Sequence, residues 1–213
     1  MGHALFFQST PSPHSFVLGI TGSMGSGKST LTKLLAKYIP TNDCDAINAK
    51  LLEPGQEGYQ ALKQAGLLFV QADGQIDRQA MANAMFENPE ARQQMEAILH
   101  PLILQKMEEW AHNQTGLCAI EVPLLFELGL EDRFDAIWTV TCSQETALKR
   151  LEQGRHISRS EALRRLALQY PPEQKAQKAD AVLVNNGEIE GLEEQVKRLL
   201  ATLPSTSQEE GFQ

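Results

Sequence analysis

Cysteine is scarce in this chain: there are three in 213 residues, Cys44, Cys118 and Cys142, far apart and without a C-x-x-C pair. That excludes a disulfide framework and a cysteine-based zinc site, and it suits a reducing, cytoplasmic setting. Cys118 and Cys142 sit in apolar runs, where cysteine acts as a small buried hydrophobe. No apolar run approaches the ~18 residues that span a bilayer. Met1–Ser15 carries Pro11 and Pro13 and has no basic n-region, so it reads as a disordered lead-in and not as a signal peptide. Positive charge is short as well. Lys and Arg total 19 against 27 Asp and Glu, a net charge of −8, so the chain as a whole repels a nucleic-acid backbone. Internal repeats and low-complexity tracts are missing, and the polar segment 205–213 reads as a flexible tail.

What is present is an ordinary globular composition, 42 % hydrophobic and 22 % charged, at a length suited to one domain with an insertion. Phe16–Thr21 (FVLGIT) reads as a strand, followed by a glycine-rich loop and a helix from about Ser29 to Tyr38. A short strand is expected to end near Thr41–Asp43, and a helix is expected over Ala46–Leu52, stopped by Pro54-Gly55. Helical pattern dominates 57–114. Within it Asn88 caps a helix with Pro89 at its first position, and His100-Pro101 is expected to end one helix and open the next.

Strands return at Leu117–Val122 and Ile137–Cys142. Ser143 caps a helix running to about Gln153, Ser158 and Glu161 have capping-box spacing for a helix over Arg159–Gln169, and Pro171-Pro172 ends that helix. A strand at Ala181–Val184 and a helix at Ile189–Leu203 complete the chain. Strands alternating with helices predict a mostly parallel sheet of about five strands covered on both faces, a three-layer α/β fold. Ligands on such sheets bind beyond the carboxyl ends of the strands.

The chemistry starts at Gly22-Ser-Met-Gly25-Ser26-Gly27-Lys28-Ser29, a full match to G-x-x-x-x-G-K-[ST] between a strand and a helix. Glycines fold the backbone tightly enough for successive N–H groups to face phosphate oxygens, and the helix adds its positive dipole end. Lys28 reaches the β- and γ-phosphates, the Ser29 hydroxyl suits Mg²⁺, and Thr30 adds a hydroxyl near the α-phosphate. The chain thus binds a nucleoside triphosphate. A GTP switch would also carry D-x-x-G and N-K-x-D. The former is missing, and Gln177-Lys178-Ala179-Asp180 lacks the leading Asn of the latter.

Asp43-Cys44-Asp45 falls where the second strand should end. Carboxylates there either act on a substrate hydroxyl or on Mg²⁺ through water, or simply cap the following helix. Glu121, at the end of another strand, either reaches Mg²⁺ through water or faces solvent.

GITGSMGSGKST, DCDAINAKLLEPG, HPLI at His100–Ile103 and VPLLFE at Val122–Glu127 follow in order, then Arg165…Gln169, Lys175…Asp180 and Asn185-Asn186-Gly187. This set resembles the successive motifs of the dephospho-CoA kinase family, over about Phe16–Leu203. The resemblance implies a P-loop kinase fold over 16–204 that transfers the γ-phosphoryl group of ATP, with Mg²⁺, to the ribose 3′-hydroxyl of dephospho-CoA. It makes Asp45 the orienting group or base for that hydroxyl and 57–114 the CoA-binding helical insertion. It places His100 and Glu127 on the substrate side, although a helix-end histidine and a capping charge account for them equally well. Its expected partners are ATP and dephospho-CoA, with no nucleic acid or membrane, and the chain is expected to be a monomer or weak homo-oligomer. The alternative is another small-molecule P-loop kinase, of the nucleoside, nucleotide or shikimate type.

The resemblance also marks a lid at about 147–165, where Lys149, Arg150, Arg155, Arg159, Arg164 and Arg165 face only Glu152 and Glu161. A basic lid supplies cations to a transferring phosphoryl group; a solvated face with i,i+4 partners has the same composition. Members of the family usually carry Arg just after the residue matching Gln153. Here Gly154 stands there and Arg155 follows, so Arg155 is expected to take the role through a backbone shifted at the glycine.

Overall fold

The computed structural model describes residues 15–204. The expected tail therefore lies outside the described residues, as does the lead-in except for Ser15. The chain divides into two compact units, one formed by the segments before Asn42 and after Trp110, the other by Asn42–Trp110.

The first unit carries the sheet. Its strands are β1 (Ser15–Thr21), β2 (Thr41–Asp43, of which Thr41 belongs to this unit), β3 (Gly116–Glu121), β4 (Ala136–Thr141) and β5 (Ala181–Val184), in the order β2-β3-β1-β4-β5. β1 pairs in parallel with β3 (Ser15 opposite Gly116, Ile20 opposite Glu121) and with β4, and β4 pairs in parallel with β5. Cys118, Ala119 and Ile120 are buried in succession, as are Ile137, Trp138, Thr139 and Val140. Uninterrupted burial means that both faces of the sheet are covered. α1 (Lys28–Leu35) turns Leu31, Leu34 and Leu35 toward the sheet, the i, i+3, i+4 spacing of one helix face, and they join Leu18, Ile20 and Trp138 in one core cluster. Each such leucine contributes about 1.5–3 kcal/mol by burial.

Aspartates pin the strands. Val17 donates its N–H to Asp135 Oδ2 (2.7 Å), and Ile137 donates to Asp180 Oδ2 (2.7 Å). The remaining helices of this unit are α6 (Gln144–Arg155), α7 (Arg159–Leu166), α8 (Pro172–Lys178) and α9 (Ile189–Leu200). Ser143 and Ser158 cap α6 and α7 as their spacing predicted. α8 was not foreseen. Pro171-Pro172 does end the preceding helical segment, but Pro172 then serves as the first residue of α8, where its missing N–H costs nothing.

The second unit holds α2 (Cys44–Leu51), α3 (Glu57–Gln64), α4 (Arg78–Glu87) and most of α5 (Pro89–His112). It begins before the insertion boundary expected at residue 57. Two features correct the sequence reading. Between α3 and α4 the chain is not helical: Val70 and Ile76 form an antiparallel bridge around Asp73-Gly74, with Gln71 N–H donating to Gln75 O (2.8 Å). An Asp-Gly pair is a hairpin signal, and here it overrides the surrounding helical pattern. α5 also runs unbroken through His100-Pro101. An interior proline costs about 3 kcal/mol. Met95 and Leu99 before it and Ile103 after it pack into one cluster with Leu62 and Met81, which offsets that cost while the helix stays continuous. Among the described residues no helix is long and apolar enough to cross a membrane.

Candidate functional site

β1 ends at Thr21, and the glycine-rich loop leads straight into α1. Gly22 has φ 151°, and a Cβ there would lie 2.4 Å from Val140 O. Gly27, the N-cap of α1, has φ 104°, and a Cβ there would lie 2.0 Å from Asn185 Nδ2. Both positions therefore require glycine for left-handed backbone and close approach. Among the described residues no side chain caps α1, and the positive dipole end of the helix favours an anion there. The Lys28 ammonium donates to Gly22 O (2.8 Å) and Ser23 O (3.2 Å), tying the helix start back to the loop entrance.

Lys28, Ser29 and Thr30 line a pocket of about 180 Å³ together with Gly25, Gly27, Arg150 and Arg155. Asn185, buried at the end of β5, donates to Ser26 O at 2.9 Å. Arg150 bridges the same carbonyl and Asn185 Oδ1, both at 3.3 Å. Ser26 O is thus engaged by two donors, which fixes this part of the loop. Among the described residues, the buried hydroxyls of Ser23 and Ser26 have no hydrogen-bond partner.

Glu121 stands beside the Ser29 hydroxyl. It is the last residue of β3 and only 4 % exposed. Its Oε2 accepts from Thr32 Oγ1 (2.8 Å), and Ser29 Oγ lies 3.4 Å from Oε1. Of the two readings open for Glu121, the solvent-facing one is ruled out. A buried carboxylate needs partners, and this one stands beside the hydroxyl expected to meet Mg²⁺. Hydroxyl and carboxylate oxygens suit a hard cation, so the donor set fits.

The lid arginines separate into two groups. Arg159 pairs with Glu145 (2.8 Å), and Arg164 and Arg165 both pair with Glu161, the latter at 2.6 Å. The hydrogen bonds from Arg159 and Arg165 hold Glu145 and Glu161 below the usual carboxylate range. Arg164 and Arg165 thus have i,i+3 and i,i+4 partners on α7, while Arg159 reaches back to α6. Arg150 and Arg155 are the two at the phosphate pocket. Arg155 does not arrive there through a distorted glycine. Gly154 lies inside α6, and the left-handed residue is His156 (φ 53°) at the C-cap. The helix carries Arg155 to its last turn unaided.

The dephospho-CoA kinase family model matches residues 16–191. The chain belongs to the dephospho-CoA kinase family. A dephospho-CoA kinase of Thermus thermophilus is 36 % identical over 192 residues, covering 89 % of this chain and 93 % of the relative. That of Geobacter metallireducens is 38 % identical over 189 residues, covering 86 % and 94 %. A solved structure from Thermus thermophilus shares the fold with a TM-score of 0.77 at 36 % identity, over 90 % of this chain and 100 % of that one. As a dephospho-CoA kinase family member, the chain is a phosphotransferase with a hydroxyl acceptor on a three-layer P-loop α/β fold.

The other residues singled out from the sequence take these places in this dephospho-CoA kinase family member. Asp43 is the N-cap of α2, its Oδ1 accepting the Asp45 N–H (2.8 Å). Asp45 is in the first turn of α2 and exposed. His100 is partly buried within α5. Glu127 is held: Lys175 Nζ stands 2.9 Å from its Oε1 and 3.1 Å from its Oε2, and Tyr170 N–H donates to Oε1 at 2.9 Å. Burial pushes the Cys118 thiol up to about 11, and burial raises Cys142 as well, with Arg150 opposing. Neither is an activated thiol. Sequence reasoning missed Asn185, Gln169 and Lys175 as structural contacts of this site. Their motifs were visible, but nothing local says which loop each one meets.

Proposed function

We propose that this protein transfers the γ-phosphoryl group of ATP to the ribose 3′-hydroxyl of dephospho-CoA, yielding coenzyme A, in the cytoplasm. The observation that carries this reading is the convergence of Lys28, Ser29, Arg150 and Arg155 on one pocket at the helix N-terminus, in a chain of this family. Amides of the loop and of the start of α1, those of Gly25, Gly27 and Ser29 among them, bind the triphosphate, and Lys28 leaves its carbonyl contacts to reach the β- and γ-phosphates. Arg155 meets charge developing on the transferring group, and Arg150 holds the loop. Ser29, with Glu121 behind it, would hold Mg²⁺, which when bound neutralises phosphate charge. Asp45 orients the incoming hydroxyl and accepts its proton, a role supported by its match to the second Asp of the family's D-x-D. The unit Asn42–Trp110, with His100, receives the CoA moiety. Glu127 serves this site by holding Lys175. The transition state of such transfers is loose, so positioning and electrostatics outweigh base strength. The working unit is a monomer or weak homo-oligomer.

The test is a panel of acceptors with MgATP, read by mass spectrometry. Dephospho-CoA should gain one phosphate, while nucleosides, nucleotides and shikimate stay unmodified. Efficient turnover of one of those instead, or ATP hydrolysis with no phosphorylated acceptor, would sink the proposal.

Glu121→Gln keeps an acceptor for the Thr32 hydroxyl and removes the charge. The Mg²⁺ concentration for half-maximal activity should rise about 10-fold, as losses of partners behind a metal ligand typically do, with little change in thermal stability. An unchanged Mg²⁺ titration would remove Glu121 from the metal site.

A further inference from the structure

Lys175 is a charged residue with no solvent exposure. Its ammonium reaches both oxygens of Glu127 (2.9 and 3.1 Å) and donates to Pro123 O (3.0 Å), enough acceptors for all three of its protons. Pro123 O also accepts the Thr21 hydroxyl at 3.3 Å. One buried cation thus joins α8 to the turn after β3, and through that turn to the end of β1. A second tie lies six residues earlier by number: Gln169 Oε1 accepts the Met24 N–H of the phosphate loop at 2.9 Å. Gln169 lies on the segment linking α7 to α8, and Lys175 lies within α8 just after it. That segment, with Leu163 and Leu166 of α7 and the outer side of the loop at Met24, walls a cavity of about 670 Å³.

Stability alone is a poor reason for this arrangement. A buried ion pair is costly to desolvate, and apolar residues of similar volume often hold a fold as well or better. What an apolar pair lacks is direction. α7 packs on α6 through Ala162 against Leu148 and Leu151, with Met24 at the edge of the same cluster. α6 in turn carries Arg150 and Arg155 to the phosphate pocket.

We propose that Lys175, through Glu127, is a positioning residue: together with Gln169 it sets the base of the lid so that the α6 arginines meet the transferring phosphoryl group. This rests on the kinase reading above. Lys175 touches no reactant and acts through α7 and α6.

The experiment compares Lys175→Met, Lys175→Arg, Gln169→Ala and the double variant Lys175→Met/Glu127→Met with the wild-type enzyme, at a temperature well below unfolding. It records kcat, KM, ADP affinity and thermal midpoint. In Lys175→Met, kcat should fall about 30-fold, since small misplacements remote from the chemistry cost up to about 10²-fold, while ADP affinity stays within about 3-fold. Lys175→Arg should retain most of the turnover. The double variant should recover the thermal midpoint but keep the low kcat. Gln169→Ala, at a partly exposed site, should lose about 10-fold in kcat with its thermal midpoint close to that of the wild type. Recovery of kcat together with stability in the double variant would overturn the proposal, as would wild-type turnover in Gln169→Ala. If the wild-type enzyme itself phosphorylates no dephospho-CoA, the functional reading fails instead, and the two outcomes are distinct.

Discussion

Lys28→Ala is expected to lower kcat by about 10³-fold or more, the range seen when a cation serving a transferring phosphoryl group is removed. The ammonium has two tasks that alanine cannot perform. It ties α1 to the loop entrance through Gly22 O and Ser23 O, and it carries positive charge to the pocket shared with Ser29, Arg150 and Arg155. Arg150 does not replace it, because its guanidinium is directed to Ser26 O and Asn185 Oδ1. Nucleotide affinity should fall less than turnover, since the loop amides bind the ground state too. The decisive measurement is single-turnover phosphorylation of dephospho-CoA at saturating MgATP. A rate within a few-fold of wild type would contradict the phosphate-loop mechanism.

Asp45→Asn should cut kcat by about 10²–10⁴-fold, the usual worth of a positioned general base, with nucleotide affinity unchanged. Asparagine keeps the size of the side chain and loses its capacity to take a proton. Asp43→Asn is the natural control. Asp43 caps α2 through the Asp45 N–H, and asparagine caps about as well as aspartate, so stability and turnover should change little. Equal losses in the two variants would point to the α2 terminus as a structural unit and remove the special role of Asp45. Unchanged turnover in Asp45→Asn would remove it outright.

The parts of this protein that were legible in its sequence are those whose physics is local. The strand before the glycine loop, the serine caps of α6 and α7, and the alternation of strand and helix follow from short-range patterns. Local rules also misled where packing opposed them. Pro101 reads as a break, yet the shared cluster of Met95, Leu99 and Ile103 keeps α5 whole. Gly154 reads as a backbone irregularity, yet it continues α6, and the left-handed turn falls one residue past Arg155, at His156. The helical pattern of 57–114 hides the Asp73-Gly74 turn, which forms nonetheless and interrupts it.

By itself the sequence determined the phosphate cradle, because eight consecutive residues carry both its backbone freedom and its charge. It also determined the family, because that motif is followed in order by others along nearly the whole chain. Tertiary structure alone decided that Glu121 stands against Ser29, 92 positions away, that three lid arginines turn to acidic neighbours while two face the pocket, and that Lys175 lies buried on Glu127. The physical reason is the parallel sheet. Its crossovers bring the carboxyl ends of β1, β3, β4 and β5 to one edge, and periodicity along a strand tells which face a residue takes but not which distant loop it will meet there.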